Sequence, residues 1–170
     1  MSVISVDYFG NLDKYSVIWL ELLKYVKLEG IKVYIISGPW PNHITNRLEA
    51  EGYKRRVHYD DVFSILSHLS LKGLETWFDE THDSWYSDSE RWWAAKAEIC
   101  KEISSQIHFD NDIRFKDAFR HIATRFIHTD CQEGRKQVAA WREKLRLANT
   151  FYDPAEEYHE MFNGMTGFSM

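Results

Sequence analysis

Along the first 130 residues, short runs rich in β-branched residues alternate with longer stretches in which apolar residues recur at helical spacing. Val3 to Val6 reads as a buried strand, after which Tyr15, Ile18, Trp19, Leu22, Leu23 and Val26 mark one helix face until Gly30 supplies a stop. Lys32 to Ile36 gives a second strand, and a helix from about Asn42 to Glu51 closes at Gly52. Asp61 to Ile65 reads as a third strand. A helix from about Ser89 to Ile103 leads to a fourth, Gln106 to Phe109, and a helix near Arg114 to Ala123 precedes a strand at Arg125 to His128. This alternation points to the α/β class, a Rossmann-like parallel sheet with helices on both faces.

In such sheets ligands bind beyond the carboxyl ends of the strands. Asp7, Ser37 and Asp110 stand there, each directly after an apolar run of a different strand. Each has an ordinary alternative: a polar residue closing a strand, a plain Ser-Gly-Pro turn at Ser37-Gly38-Pro39, and a loop in which Asp112 caps the next helix.

The chain is long enough for one domain of ordinary size, and its 170 residues include seven Trp, nine Tyr and ten Phe, so a large core is expected. A formal charge of -5 argues against nucleic acid as the main partner. The longest apolar stretch, Ser16 to Val26, is broken by Glu21 and Lys24, so no membrane span is expected. The amino terminus has no basic start or small-residue cleavage site, which places the expectation in the cytoplasm, where Cys100 and Cys131 would be reduced thiols. Without CxxC or HxxxH spacing, those thiols with His108 and His128 do not read as a zinc site.

Residues 1–130 read as the core, interrupted by an acidic, aromatic insertion at 66–92 that carries Trp77, Phe78, Trp85 and Tyr86 among Glu75, Asp79, Glu80, Asp83 and Asp88. Aromatic residues in such a segment more often anchor it than bind a ligand, although a stacked base or a protein partner along 75–93 is open. Trp92 and Trp93 are neighbours about 100° apart on a helix, so both are not expected to face inward. Residues 131–170 read as a helix from about Glu133 to Ala148, with Val138, Trp141, Leu145 and Ala148 on one face, followed by a tail containing Pro154, Gly164 and Gly167.

A carboxylate after one strand, a hydroxyl after the next, a lysine on a helix and a further acidic cluster together suit attack on a phosphoryl group. Phosphoryl transfer is largely positioning and electrostatic stabilisation: a carboxylate can be the nucleophile, a cation neutralises the oxygens, and Mg²⁺ needs only a few oxygen ligands. The arrangement resembles the haloacid dehalogenase-like (HAD) superfamily. Its four motifs fall on Asp7-Tyr8-Phe9-Gly10-Asn11-Leu12, on Ser37, on Lys96 and on Asp110-Asn111-Asp112. The resemblance implies a hydrolase of phosphatase type with Asp7 as nucleophile and Ser37, Gly38 and Lys96 around the phosphoryl group. By the same resemblance, Mg²⁺ would be held by Asp7, the Phe9 backbone carbonyl and Asp110. A small phosphorylated molecule or a nucleotide is the implied substrate.

The first motif departs from the family pattern Asp-x-Asp-Gly-Thr-Leu. Phe9 replaces the second aspartate and Asn11 the threonine, while Asp7, Gly10 and Leu12 agree. That second aspartate is the family's general acid and base, a contribution worth roughly 10² to 10⁴ in rate. Its loss leaves two expectations: a hydrolase whose substrate needs little help from an acid, or a catalytically weak relative acting as a binding or regulatory partner. No helical cap fits between Asp7 and Ser37, so any lid is expected in the 66–92 insertion.

Overall fold

A computed structural model of the chain describes residues 2–149. Five parallel strands form the sheet: β1 (Val3–Val6), β2 (Lys32–Ser37), β3 (Asp61–Ser64), β6 (Ile107–Asp110) and β7 (Arg125–His128), in the order β3-β2-β1-β6-β7. A short antiparallel hairpin, β4 (Trp77–Asp79) and β5 (Ser84–Tyr86), stands apart from it. The helices are α1 (Ser16–Leu28), α2 (Pro41–Ala50), α3 (Ile65–Leu71), α4 (Ser89–Glu102) and α5 (Gln132–Ala148). The Rossmann-like α/β expectation is met.

Alternation along the strands explains why the molecule has two apolar layers. Ile4, Val6, Val33, Ile35, Phe109 and Ile127 point to one face and pack with Trp19, Leu22, Leu23 and Val26 of α1, Ile44 and Leu48 of α2, and Val138 of α5. Ile36 and Phe126 point to the other, against Ile65 and Leu69 of α3, Ala95 and Ile99 of α4, and Phe115 and Phe119. Each fully buried aliphatic side chain of this kind contributes roughly 1.5–3 kcal/mol.

Local signals set the element ends. Pro41 begins α2, where a missing backbone N–H costs nothing. The Asp88 side chain accepts from the Arg91 N–H at 2.9 Å and caps α4. Two elements differ from the sequence expectation. The third strand stops at Ser64, whose hydroxyl accepts from the Ser67 N–H and starts α3 at once, so the insertion begins only after Leu71. Where a helix was expected near 114–123, the chain forms a tighter 3₁₀ segment, Ile113–His121. Two successive buried anchors, Phe115 and Phe119, hold it on the sheet.

The helix expected from about Glu133 to Ala148 forms as α5, Gln132–Ala148, with Trp141 edge-on to Phe109 at 5.8 Å. Pro154, Gly164 and Gly167 lie outside the described residues. Among the described residues no helix is long and apolar enough to cross a membrane.

Candidate active site

The sheet order reverses between β1 and β6: the chain moves from β1 outward to β2 and β3, then crosses back to β6 on the other side. Val6 is opposite Phe109 in the register, and the Asp7 N–H donates to the Phe109 carbonyl at 2.9 Å. Asp7 and Asp110 therefore leave adjacent strands side by side, at the crevice where this topology exposes strand ends.

Lys96 lies between them. Its Nζ stands 2.9 Å from Asp7 Oδ1 and 2.7 Å from Asp110 Oδ2, and all three side chains are buried. The same ammonium sits 4.1 Å over the Phe115 ring. α4 delivers it: Ala95 and Ile99 hold one side of the helix on the sheet, and Lys96 follows toward the strand ends. Asp110 receives further support from below. His108, two residues earlier and on the same face, lies with Nε2 at 3.2 Å from Asp110 Oδ2, while its Nδ1 is 2.9 Å from the Ser5 hydroxyl. The Asp112 N–H donates to Asp110 Oδ1 at 2.9 Å.

The two carboxylates are not equivalent. Burial pushes the Asp7 carboxyl up to about 6, with Lys96 opposing the rise and Asp110 reinforcing it. Burial acts on Asp110 in the same sense, but Lys96 and His108 outweigh it and hold that carboxyl well below the usual carboxylate range. Burial disfavours charge on Lys96 too, yet the pair of carboxylates raises its pKa.

Ser37 closes β2 with no exposed surface, and its hydroxyl has no hydrogen-bond partner among the described residues. It lines the same cavity as Asp7 and Lys96, a space of about 670 Å³. Asp7, Ser37, Gly38 and Lys96, grouped by the family resemblance, thus line one cavity. Asp110 belongs to the cluster through Lys96, with both its oxygens engaged by protein donors.

Next to the Phe9 carbonyl the structure brings Asn111, which the sequence reading passed over. Gly10 makes this possible: its φ is +75°, and a Cβ there would fall 2.2 Å from the Asn111 side-chain nitrogen. Turned one way, the Asn111 amide donates to the Phe9 carbonyl at 2.6 Å and to Asp7 Oδ2 at 3.3 Å. Turned the other way, the Asn111 oxygen faces the Phe9 carbonyl and Asp7 Oδ2 with no donor between them. An octahedral ion with bonds near 2.1 Å would need neighbouring ligand oxygens about 3.0 Å apart, between the 2.6 and 3.3 Å that separate the Asn111 side chain from these two oxygens. The set holds one carboxylate, one backbone carbonyl and one amide. Among the described residues no group of three or more His, Cys, Asp or Glu side chains is arranged to hold a metal.

The insertion forms the cavity's outer wall. In the hairpin, Trp77 pairs with Tyr86 and Phe78 with Trp85, so the two pairs occupy opposite faces. Phe78 and Trp85 line the cavity, and Trp85 meets Trp40 edge-on at 5.6 Å. The expected anchoring holds only for Trp85, because Trp77, Phe78 and Tyr86 stay exposed. Trp92 and Trp93 are both half-buried and both line the cavity. The first turns toward Gly38 and the second packs on Phe115, because a helix set above a concave site shows more than one stripe to the protein.

No protein-family model matches the chain, and no curated protein matches it.

Proposed function

We propose that the protein is a HAD-like hydrolase that transfers a phosphoryl group to Asp7 and then to water. The observation that carries this reading is the Ser37 hydroxyl, buried and unpartnered, in the cavity that Asp7 and Lys96 share. A buried hydroxyl without a partner costs about 1–3 kcal/mol, which a phosphoryl oxygen accepting its hydrogen bond would recover. Lys96 would neutralise a second phosphoryl oxygen while holding Asp7 Oδ1, leaving Oδ2 for attack or for the cation.

Asp7, the Phe9 carbonyl and the Asn111 side chain would hold Mg²⁺, whose role when bound is to offset the charge that gathers on the phosphoryl oxygens. Asp110, with its oxygens taken by Lys96, His108 and a backbone N–H, keeps Lys96 charged and in place. Its part is therefore that of a positioning residue rather than the metal ligand the motif spacing implies. The two unpaired thiols, Cys100 and Cys131, suit a reducing compartment, and the reading keeps the protein in the cytoplasm.

Phe9 favours a second reading, a binding protein that retains this pocket without turnover, because no carboxylate occupies the acid position. The two are separated by incubating the protein with 4-nitrophenyl phosphate and Mg²⁺. The hydrolase reading expects nitrophenolate release that disappears in Asp7→Asn and falls at least about tenfold in Ser37→Ala. Absence of Mg²⁺-dependent release from the natural chain would overturn it.

A further inference from the structure

We infer that the cavity is built for aromatic phosphate monoesters, with the phosphate at Asp7 and Ser37 and the ring held among Phe9, Trp40, Trp85 and Trp92. This rests on the reading of Asp7 as the nucleophile and names the substrate class. Two independent features lead to it.

The first is the leaving group. Phe9 stands where the family resemblance puts the general acid, so residue 9 gives no proton to the departing oxygen. A phenol has a pKa of about 10 and an alcohol lies closer to the value of about 16 for water, so only the aryl oxide departs readily unassisted. An alkyl ester would lose the roughly 10² to 10⁴ that a general acid supplies.

The second is the wall of the site. Phe78 and Trp85 share the hairpin face turned to the cavity, and Trp40 and Trp85 pack edge-on at 5.6 Å. Trp92 closes the turn after Ser37: its ring edge lies 3.1 Å from where a Cβ on Gly38 would stand, a tight approach that a side chain there would push back by a few tenths of an ångström. Aromatic side chains therefore approach within one residue of the phosphate-facing hydroxyl. Arg47 adds a cation at the same cavity, 5.6 Å over the Phe9 ring, with Nε donating to His43 at 3.0 Å. Among the described residues it pairs with no carboxylate, whereas Arg114, which also lines the cavity, is bound to Asp112 at 2.6 Å. A volume near 670 Å³ holds a molecule of phenyl phosphate size with room for ring substituents.

The reaction balances without any further reagent. An Asp7 carboxylate oxygen forms a bond to phosphorus as the bond from phosphorus to the aryl oxygen breaks, and the electron pair leaves on the phenolate. Water then attacks phosphorus, the aspartyl bond breaks, and Asp7 regains its carboxylate. The proton released by that water matches the one the phenolate takes up from solvent.

Phenyl phosphate, acetyl phosphate and adenosine 5′-monophosphate test this with Mg²⁺ present. Acetyl phosphate has a good leaving group and no ring; the nucleotide has a ring and an alkyl leaving group. We expect phenyl phosphate to show a KM about tenfold or more below that of acetyl phosphate, and the nucleotide to turn over at least a hundredfold more slowly than phenyl phosphate. Trp85→Leu should lower the ratio of kcat/KM for phenyl over acetyl phosphate about tenfold through KM, and Trp85→Phe should restore it. Equal KM values for phenyl and acetyl phosphate, a ratio unmoved in both Trp85→Leu and Trp92→Leu, or a nucleotide hydrolysed as fast as phenyl phosphate would overturn the assignment. If acetyl phosphate too is left intact, the nucleophile reading fails, and the ring site is then judged by binding. Tryptophan fluorescence of Asp7→Asn should titrate with phenyl phosphate at least tenfold more tightly than with inorganic phosphate, and equal affinities would overturn it.

Discussion

The ammonium of Lys96 lies 2.7 Å from Oδ2 of Asp110, a carboxylate with no exposed surface. The same ammonium reaches Asp7 at 2.9 Å, so one positive charge serves two buried negative ones. Removing it takes the charged partner from Asp7 and leaves the Asp110 carboxylate, among the described residues, with only His108 and the Asp112 N–H. Lys96→Met is therefore expected to destabilise the fold by about 3–5 kcal/mol at pH 8, measured by urea denaturation. A loss under about 1 kcal/mol would show that water reaches the two carboxylates and that the enclosure is not what holds them.

Asp7 ties stability to pH in the metal-free protein. Its folded pKa of about 6 lies above its unfolded value of 3.8, so the folded state holds the proton more tightly between those values. The favourable contribution is complete below 3.8 and is lost as pH rises through 6. Asp110 is shifted the other way, and its contribution stays constant above the ordinary carboxylate range. Asp7→Asn should thus gain on the natural chain as pH rises from 4.5 to 7.5, by up to about 2 kcal/mol. Denaturation with EDTA at both pH values checks this, and an equal difference at the two would contradict it.

Phe9→Asp supplies a carboxylic acid at the edge of the cavity, in a side chain that faces Arg47. Hydrolysis of an alkyl phosphate such as glycerol phosphate should rise by about 10² or more, and aryl phosphate hydrolysis much less. On the proposed reading, Phe9 also leaves residue 9 unable to activate water for the second step. Stopped-flow measurements with 4-nitrophenyl phosphate should show a burst approaching one nitrophenolate per protein, followed by a slower steady rate. A burst of equal size in Phe9→Asp would argue that residue 9 has no part in the second step.

Gly10→Ala tests the approach of Asn111 to the Phe9 carbonyl. The new methyl would overlap the amide at 2.2 Å, on a backbone with φ of +75° that side chains disfavour. The expected cost is about 1–3 kcal/mol in stability, with a loss of Mg²⁺ affinity of at least about tenfold by calorimetry. Asn111→Leu should lose the affinity with less effect on the fold. Unchanged affinity in both variants would remove Asn111 from the cation site.

The chemistry-bearing positions after β1, β2 and β6 were legible because each follows an apolar run, and a parallel sheet turns such positions into neighbours. Asn111 was not, since its significance depends on the left-handed turn at Gly10 and on an amide reaching back across the strand ends to Phe9. Nor was the helix Ile65–Leu71, because Ser64 ends a strand and caps a helix at one residue and leaves no loop to announce the change. The signal was present in the apolar spacing of Ile65, Leu66 and Leu69.

What the order of residues determined by itself was the α/β class and the strand-end positions of Asp7, Ser37 and Asp110, since periodicity and strand-end position are local properties; Lys96, inside a helix, was marked only by the family resemblance. The tertiary structure decided how charge is shared. Asp7 and Asp110 are both aspartates after strands, yet Asp110 receives Lys96, His108 and a backbone N–H, while Asp7 has, among the described residues, Lys96 as its one ion-pair partner and a heavier net effect of burial. Packing likewise turned an acidic, aromatic insertion into a hairpin with Phe78 and Trp85 toward the cavity and Trp77 and Tyr86 toward solvent. Charge sharing and side-chain facing depend on neighbours distant in the chain, and only folding brings those neighbours within a few ångströms.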